Sequence, residues 1–355
     1  MVNRITGALI HQVLRIARTA FDGAEDRMGR PFTEPDILVP HTRSRRVGWT
    51  HYGLMIPDLP EPHRYLTIMS LIGGTGSLAF DNDHALVASP RRNATVVVGT
   101  AATHPRHFGN YEIGRDGRFR EDGSELIFGR ELSITGGYPY YRVRAEIGDC
   151  AIELGIENTD KVSWFFHSPV YKHLGLLSRY RGHLTLAGER QEVEGLCSFE
   201  YGACPSAHLL HDAPLPAALK APLDYFVYHI VNLDESNQVL LSQYSIGGRP
   251  LMTFALHRAL DSHTAAYHDT TFEVLEYDDD PHPTPAGPDM RLPRRTRFTV
   301  RDRGRQWLVV ETDMDTPWTY GLGTGFVSGF AYTGRWRDAD LAGRGYVEYI
   351  DRRAG

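Results

Sequence analysis

The chain has 355 residues, 41% hydrophobic and 23% charged, which is enough apolar material for about two domains and too much for a disordered tail. Its net charge of -6 excludes an electrostatic nucleic-acid binder, because neutralising phosphates takes a basic surface. Only three lysines (Lys161, Lys172 and Lys220) occur, so Schiff-base chemistry has few candidates. The cysteines Cys150, Cys197 and Cys204 are odd in number and lack C-x-x-C spacing. They make a disulfide framework or a structural zinc site improbable and fit a reducing cytoplasm.

Residues 1–40 open with the best helical pattern in the chain, Ile5, Leu9, Val13, Ile16 and Phe21, followed by a Pro-containing link. Arg15 and Arg18 interrupt the apolar run, which argues against a secretory signal, and no stretch is long enough to span a membrane. The stripe is expected to pack on the protein's own body, with peripheral membrane contact as the alternative.

From residue 41 onward short strand-like runs replace helical periodicity, among them 48–56, 65–72, 94–98, 140–145 and 150–156. The same style continues with 225–231, 239–244, 272–275, 297–300 and 307–310. The fold class expected is mainly β: two antiparallel β-barrel or sandwich domains in tandem behind an N-terminal helix. The Ala/Pro-rich stretch 205–222 is read as the linker, with domains at 41–204 and 223–355.

An internal repeat supports the division. Trp164-Phe165-Phe166, Tyr180-Arg181-Gly182, Gly195 and Phe199-Glu200-Tyr201 are matched in order by Trp318-Thr319-Tyr320, Tyr332-Thr333-Gly334, Gly343 and Val347-Glu348-Tyr349. A looser echo joins His51-Tyr52 to Tyr228-His229. This pattern resembles the two-domain, lipocalin-like proteins that include carotenoid hydratases (hydroxyneurosporene synthases), tocopherol cyclases and decalin-forming Diels-Alderases. The runs from Thr50 to Pro60 and from Gly345 to Tyr349 are most similar to an uncharacterised bacterial branch of that group. The resemblance implies a lipocalin-like fold and large apolar substrates, isoprenoid or polyketide. It transfers no catalytic residue.

Several enzyme classes drop out. Gly321-Leu322-Gly323-Thr324-Gly325 has Phe326 where a dinucleotide fingerprint needs its third glycine. Gly73-Gly74-Thr75-Gly76 lacks the Lys-Ser/Thr ending of a phosphate loop, and no Gly-x-Ser-x-Gly elbow occurs. Among 17 histidines, His104 and His107 are three apart and His257, His263 and His268 crowd one region, and neither set has a metal-binding spacing. No metal and no other cofactor is expected.

What remains is acid–base chemistry. Glu200 and Glu348 sit on the repeated strands, each facing away from its aromatic neighbours. An inward Glu would be desolvated and serve as a general acid, whereas a solvated outer face, with an arginine partner, is the commoner place for one. His51 and His229 lie in the first strands of the two halves, each beside a tyrosine pointing to the opposite face. The segment 164–173 is dense in polar and aromatic residues, and Pro169 suggests a turn at a barrel mouth. The candidate proton-transfer residues are therefore His167, His51, His229 and Glu200. Tyr171 and Tyr228 are candidate hydrogen-bond donors to substrate, and Trp164 and Trp318 candidate apolar walls able to steady cationic character. The expected function is a cofactor-independent hydratase, isomerase or cyclase on a terpenoid, steroid or polyketide. The alternative is a lipid- or pigment-binding carrier.

Overall fold

A computed structural model describes residues 24–103, 106–169, 171–285 and 287–353. Ala24 to Met28 is helical; the rest of the expected N-terminal helix, and His104, lie outside the described residues. Among the described residues every other regular element except short 3-10 turns is a strand.

The first sheet comprises β1 (Trp49–Ile56), β2 (Leu66–Ile72), β3 (Asn93–Thr100), β4 (His107–Glu112), β5 (Gly117–Phe119), β6 (Glu125–Phe128), β7 (Leu132–Gly137), β8 (Tyr140–Ile147), β9 (Cys150–His167), β10 (Lys172–Leu186) and β11 (Glu189–Cys204). The second comprises β12 (Leu223–Asn232), β13 (Asn237–Ile246), β14 (Arg249–Ala259), β15 (Ser262–Tyr267), β16 (Thr270–Tyr277), β17 (Pro293–Asp302), β18 (Arg305–Met314), β19 (Thr319–Leu322), β20 (Gly325–Trp336) and β21 (Ala339–Asp351). The strand orders are β4-β3-β2-β1-β11-β10-β9-β8-β7-β6-β5 and β15-β14-β13-β12-β21-β20-β18-β17-β16, with β19 paired to β20. Both sheets are antiparallel and curled, one into a near-barrel and the other into a half-barrel.

In each sheet the first strand pairs with the last, β1 with β11 and β12 with β21. These central strands are buried on both faces. All eight residues of β1 are buried, whereas β8 alternates buried and exposed residues along its length. The difference arises because the concave face of the first sheet is filled by its own aromatics while its other central face meets the second sheet. Tyr52 packs edge-on to Tyr201 and Tyr141 stacks on Phe199 inside the first sheet. On the opposite face Thr67 bonds the Tyr346 hydroxyl across the seam at 2.9 Å.

The repeated motif has a structural counterpart. Tyr180 pairs with Gly195 and Tyr332 with Gly343, so each ring lies over a glycine on the neighbouring strand. Gly182 and Gly334 are equivalent too, since a Cβ at either would collide with a backbone carbonyl of the adjacent strand, that of Glu153 or Val309. The echo between His51-Tyr52 and Tyr228-His229 is out of register. Tyr228 pairs with Glu348, and the residue that pairs with Glu200 is Gly53.

The glycine-rich loops serve the fold. Thr75 and Gly76 donate backbone N–H groups to the Asp81 carboxylate, so the loop's donors are taken up within the fold. Gly323 forms the tight turn between β19 and β20, and Thr324 N–H docks that turn onto the Ala79 carbonyl at 2.8 Å.

Candidate functional site

Three adjacent strands build the centre of the seam. In register across β1, β11 and β10 lie two rows, His51–Gly202–His173 and Gly53–Glu200–Gly175. Because side chains alternate along a strand, all six positions face the same way. Each functional side chain is thus followed two residues later by a glycine on its own face: His51-Tyr52-Gly53, His173-Leu174-Gly175 and Glu200-Tyr201-Gly202. The glycines make the room. A Cβ at Gly53 would stand 3.0 Å from His51 Nε2, and one at Gly175 would stand 3.2 Å from an Arg258 nitrogen. A bulge in the β9–β10 pairing beside His173 and Leu174 fixes where His173 emerges.

Glu200 is 4% exposed, so burial overrides the commoner solvated arrangement. Its Oε1 accepts from the Tyr228 hydroxyl at 2.5 Å and from Ser198 Oγ at 2.9 Å. Its Oε2 lies 4.0 Å from His51 Nε2 and 4.0 Å from His173 Nε2. Burial pushes the Glu200 carboxyl up to about 6, against the pull of Tyr228, Arg258 and Ser198. Burial also lowers the two imidazoles, His51 to about 4 and His173 to about 3. His173 keeps 19% of its side chain exposed, so water at that edge moderates its shift, although Nε2 itself is enclosed.

The second sheet supplies the rest. Arg258 is fully buried, its Nε and Nη2 both donating to Gln238 Oε1 and its Nη1 without a partner. Glu348, beside Tyr228 in register, accepts from the Tyr346 hydroxyl at 3.0 Å. Burial, reinforced by the charge of Glu200, holds Glu348 well above the usual carboxylate range. Both carboxyls at equivalent positions of the repeat are thus pushed upward, chiefly by burial.

A cleft of about 1100 Å³ opens along the seam, lined by Tyr180 and Tyr332 from the two halves of the repeat and by Tyr141, Leu196 and Asn232. It does not include the polar cluster. A hydrogen-bond chain joins them: Asn232 Oδ1 accepts from Gln238 Nε2 at 2.6 Å, and Gln238 Oε1 accepts from Arg258. The open volume thus lies between the sheets and not in the mouth of either.

Of the residues singled out from sequence, His51, Glu200 and Tyr228 meet in this cluster. Tyr171 adjoins it, its hydroxyl 3.1 Å from His173 Nδ1. His229 does not. It points into the second sheet among Phe272, Phe298 and Phe330, with Nε2 3.3 Å from Thr296 Oγ1. His167 lies at the end of β9 against Trp164 and 3.4 Å from Glu34, and Trp164 packs beneath Phe32. Trp318 packs on Tyr349. Sequence reasoning passed over His173, Arg258, Gln238 and Ser198. The three x-x-Gly repeats and an arginine inside the apolar run of β14 were the available signals.

Two curled antiparallel sheets, each with its first and last strands paired near its centre and joined across a polar seam, define a tandem lipocalin-like protein. The chain belongs to DUF6670, a family of unknown function, whose model matches residues 69–355. The sequence matches no curated protein. The fold is similar to that of the AttH protein of Nitrosomonas europaea, at TM-score 0.58 and 14% identity over 92% of this chain and 98% of that one. It is also similar to kievitone hydratase from Nectria haematococca, at TM-score 0.60 and 10% identity over 92% and 94% of the two chains. For CghA the values are 0.50 and 9%, over 88% and 90%.

Proposed function

We propose that this chain is an enzyme that holds a large hydrophobic small molecule in the seam and transforms it by proton transfer, as a hydratase, isomerase or cyclase working without a nucleotide. The observation that carries this reading is the enclosed Tyr228–Glu200 pair, contributed by opposite sheets and bonded at 2.5 Å. A phenol held on a carboxylate in a dry site can pass a proton to or from a bound molecule. The spare Arg258 Nη1 is a preorganised donor for an oxygen that gains negative charge during the reaction. Tyr141, Tyr180, Leu196, Leu233 and Tyr332 give the cleft its apolar lining, among charged groups such as Arg179 and Glu194. Kievitone hydratase, named for hydration of a single compound, shares the fold and lends the reading support at that level.

The test starts with mass spectrometry of an organic extract of the purified protein, which identifies the class of bound compound. That compound is then incubated with the protein and with Tyr228→Phe. Conversion that slows by about 100-fold or more in the variant supports the reading. Unchanged recovery of the compound would establish the carrier instead. Empty extracts, together with no response of Trp fluorescence to a panel of apolar ligands, would overturn both.

A further inference from the structure

We propose that His51, His173 and Glu200 form a binding site for a divalent transition-metal ion. The proposal uses the site of the preceding section but not its chemistry, and the two fail separately.

The first argument is the direction of the lone pairs. His51 Nδ1 lies 3.0 Å from the Ser70 carbonyl oxygen, which can only accept, so that nitrogen carries the proton and Nε2 carries a lone pair. This Nε2 faces Glu200 Oε2, also an acceptor, at 4.0 Å. His173 Nε2 is enclosed without a hydrogen-bond partner and faces the same Oε2 at 4.0 Å. Its Nδ1 lies 3.1 Å from the Tyr171 hydroxyl, whose oxygen can accept the Nδ1 proton and so leave the Nε2 lone pair for a ligand. The three ligand atoms lie within 4.8 Å of one another. With Nδ1 of each imidazole protonated, towards Ser70 and Tyr171, three acceptor atoms converge without a donor between them, and a cation at their centre removes the conflict.

The second argument is the cradle. His51 and His173 flank Gly202 across three adjacent strands, and Glu200 sits between Gly53 and Gly175 in the next row. A Cβ at Gly53 would press on His51 Nε2, and one at Gly202 would stand 3.3 Å from the His173 ring. The glycines thus keep open the side on which the ligands converge. A four-coordinate ion with bonds of about 2.1 Å separates its ligand atoms by roughly 3.4 Å. Each side chain has to move inward by well under 1 Å, in order of magnitude, to reach that geometry. Two imidazoles and one carboxylate form a donor set for zinc, iron, cobalt or nickel rather than for calcium or magnesium.

Two features constrain what else binds. Glu200 Oε1 is already engaged by Tyr228 and Ser198, so the carboxylate ligates through Oε2 alone. The Arg258 guanidinium nearby offsets the Glu200 charge, so the remaining coordination positions favour an anionic oxygen, hydroxide or an enolate or phenolate of a bound molecule.

The experiment uses tag-free, chelator-stripped full-length protein titrated with Co2+, followed by visible absorption and by equilibrium dialysis. One Co2+ per chain, with a ligand-field band, is the expected result. His51→Ala and His173→Ala each weaken binding by about 100-fold and remove the band, and Tyr171→Phe weakens it by about 10-fold. Gly53→Ala, which leaves every donor in place, also weakens it. His257→Ala, in a different part of the second sheet, binds as the parent does. Absence of a stoichiometric site, or a band that survives both histidine substitutions, overturns the proposal. If the stripped protein converts its extracted compound and binds no Co2+, the metal site falls and the enzyme reading stands. If it binds Co2+ and no apolar ligand, the reverse holds.

Discussion

Replacing His229 separates a buried structural histidine from a working one. This residue is fully buried, ringed by Phe272, Phe298 and Phe330, and burial holds its imidazole at about 3, down from 6.5. Its hydrogen-bonding surroundings are the hydroxyls of Thr296 and, behind it, Thr312, with no charged partner. Below pH 6.5 the unfolded chain therefore takes up a proton that the folded chain refuses. Stability falls as pH drops, by about 1.4 kcal/mol per unit, until the folded pKa is reached. At pH 5 the loss from this one group is about 2 kcal/mol, and it reaches about 5 kcal/mol near pH 3. His229→Leu has no such proton. At pH 8 it loses a 3.3 Å contact to Thr296, which keeps Thr312, and it removes an unpartnered buried Nδ1. Those effects offset to within about 1 kcal/mol. Urea unfolding followed by Trp fluorescence at pH 8 and pH 5 measures both numbers. The variant should be near parity at pH 8 and ahead by about 2 kcal/mol at pH 5, with conversion of the extracted compound intact. An identical offset at the two pH values, or loss of conversion with the fold preserved, would refute the reasoning.

Two further outcomes follow from packing. Gly182→Ala and Gly334→Ala, at equivalent points of the repeat, drive a Cβ into a neighbouring strand carbonyl and should each cost about 1–3 kcal/mol in denaturant unfolding. Gly155→Ala, whose nearest neighbour would be 3.6 Å away, should cost little by the same measurement. The stretch 205–222 is held by Asp81, which lies 3.1 Å from Lys220 Nζ and 3.8 Å from His208 Nε2. The neighbouring Asp81 carboxylate raises the His208 pKa, so this contribution is fully present below pH 6.5 and is lost as pH rises through the raised value. Limited proteolysis of residues 205–222 should accelerate at alkaline pH in the parent and be fast at every pH in Asp81→Asn.

Short alternating runs and the paired Tyr-x-Gly and Gly-x-x-x-x-Glu-Tyr strings made the antiparallel architecture legible, because period-two burial and cross-strand glycines leave marks in sequence. Glu200 and Tyr228 were legible as acidic and phenolic groups on strands that can face inward. Their meeting was not, because it depends on how one sheet lies on the other, and no local pattern encodes that. The choice between barrel interior and solvent omitted the third surface, the seam, where both Glu200 and Glu348 are buried. His229 misled because a histidine beside a tyrosine looks the same whether it faces the seam or the phenylalanines behind it. His173 stood in the segment 164–173, but the turn at Pro169 drew attention to His167, which pairs with Glu34 instead.

The seam also dictates which surfaces recognise each other. Where the second sheet places Tyr228 opposite Glu348, the first places Gly53 opposite Glu200, and Arg258 and Gln238 belong to the second alone. A pair of first halves brought face to face would confront carboxylate with carboxylate and offer neither a phenol nor a guanidinium between them. A pair of second halves would bury two guanidinium groups without the Glu200 carboxylate that lies near Arg258 across the seam. Like-with-like pairing loses the match of carboxylate with phenol and guanidinium, so the two seam surfaces, though they carry one shared motif, complement each other better than they complement themselves.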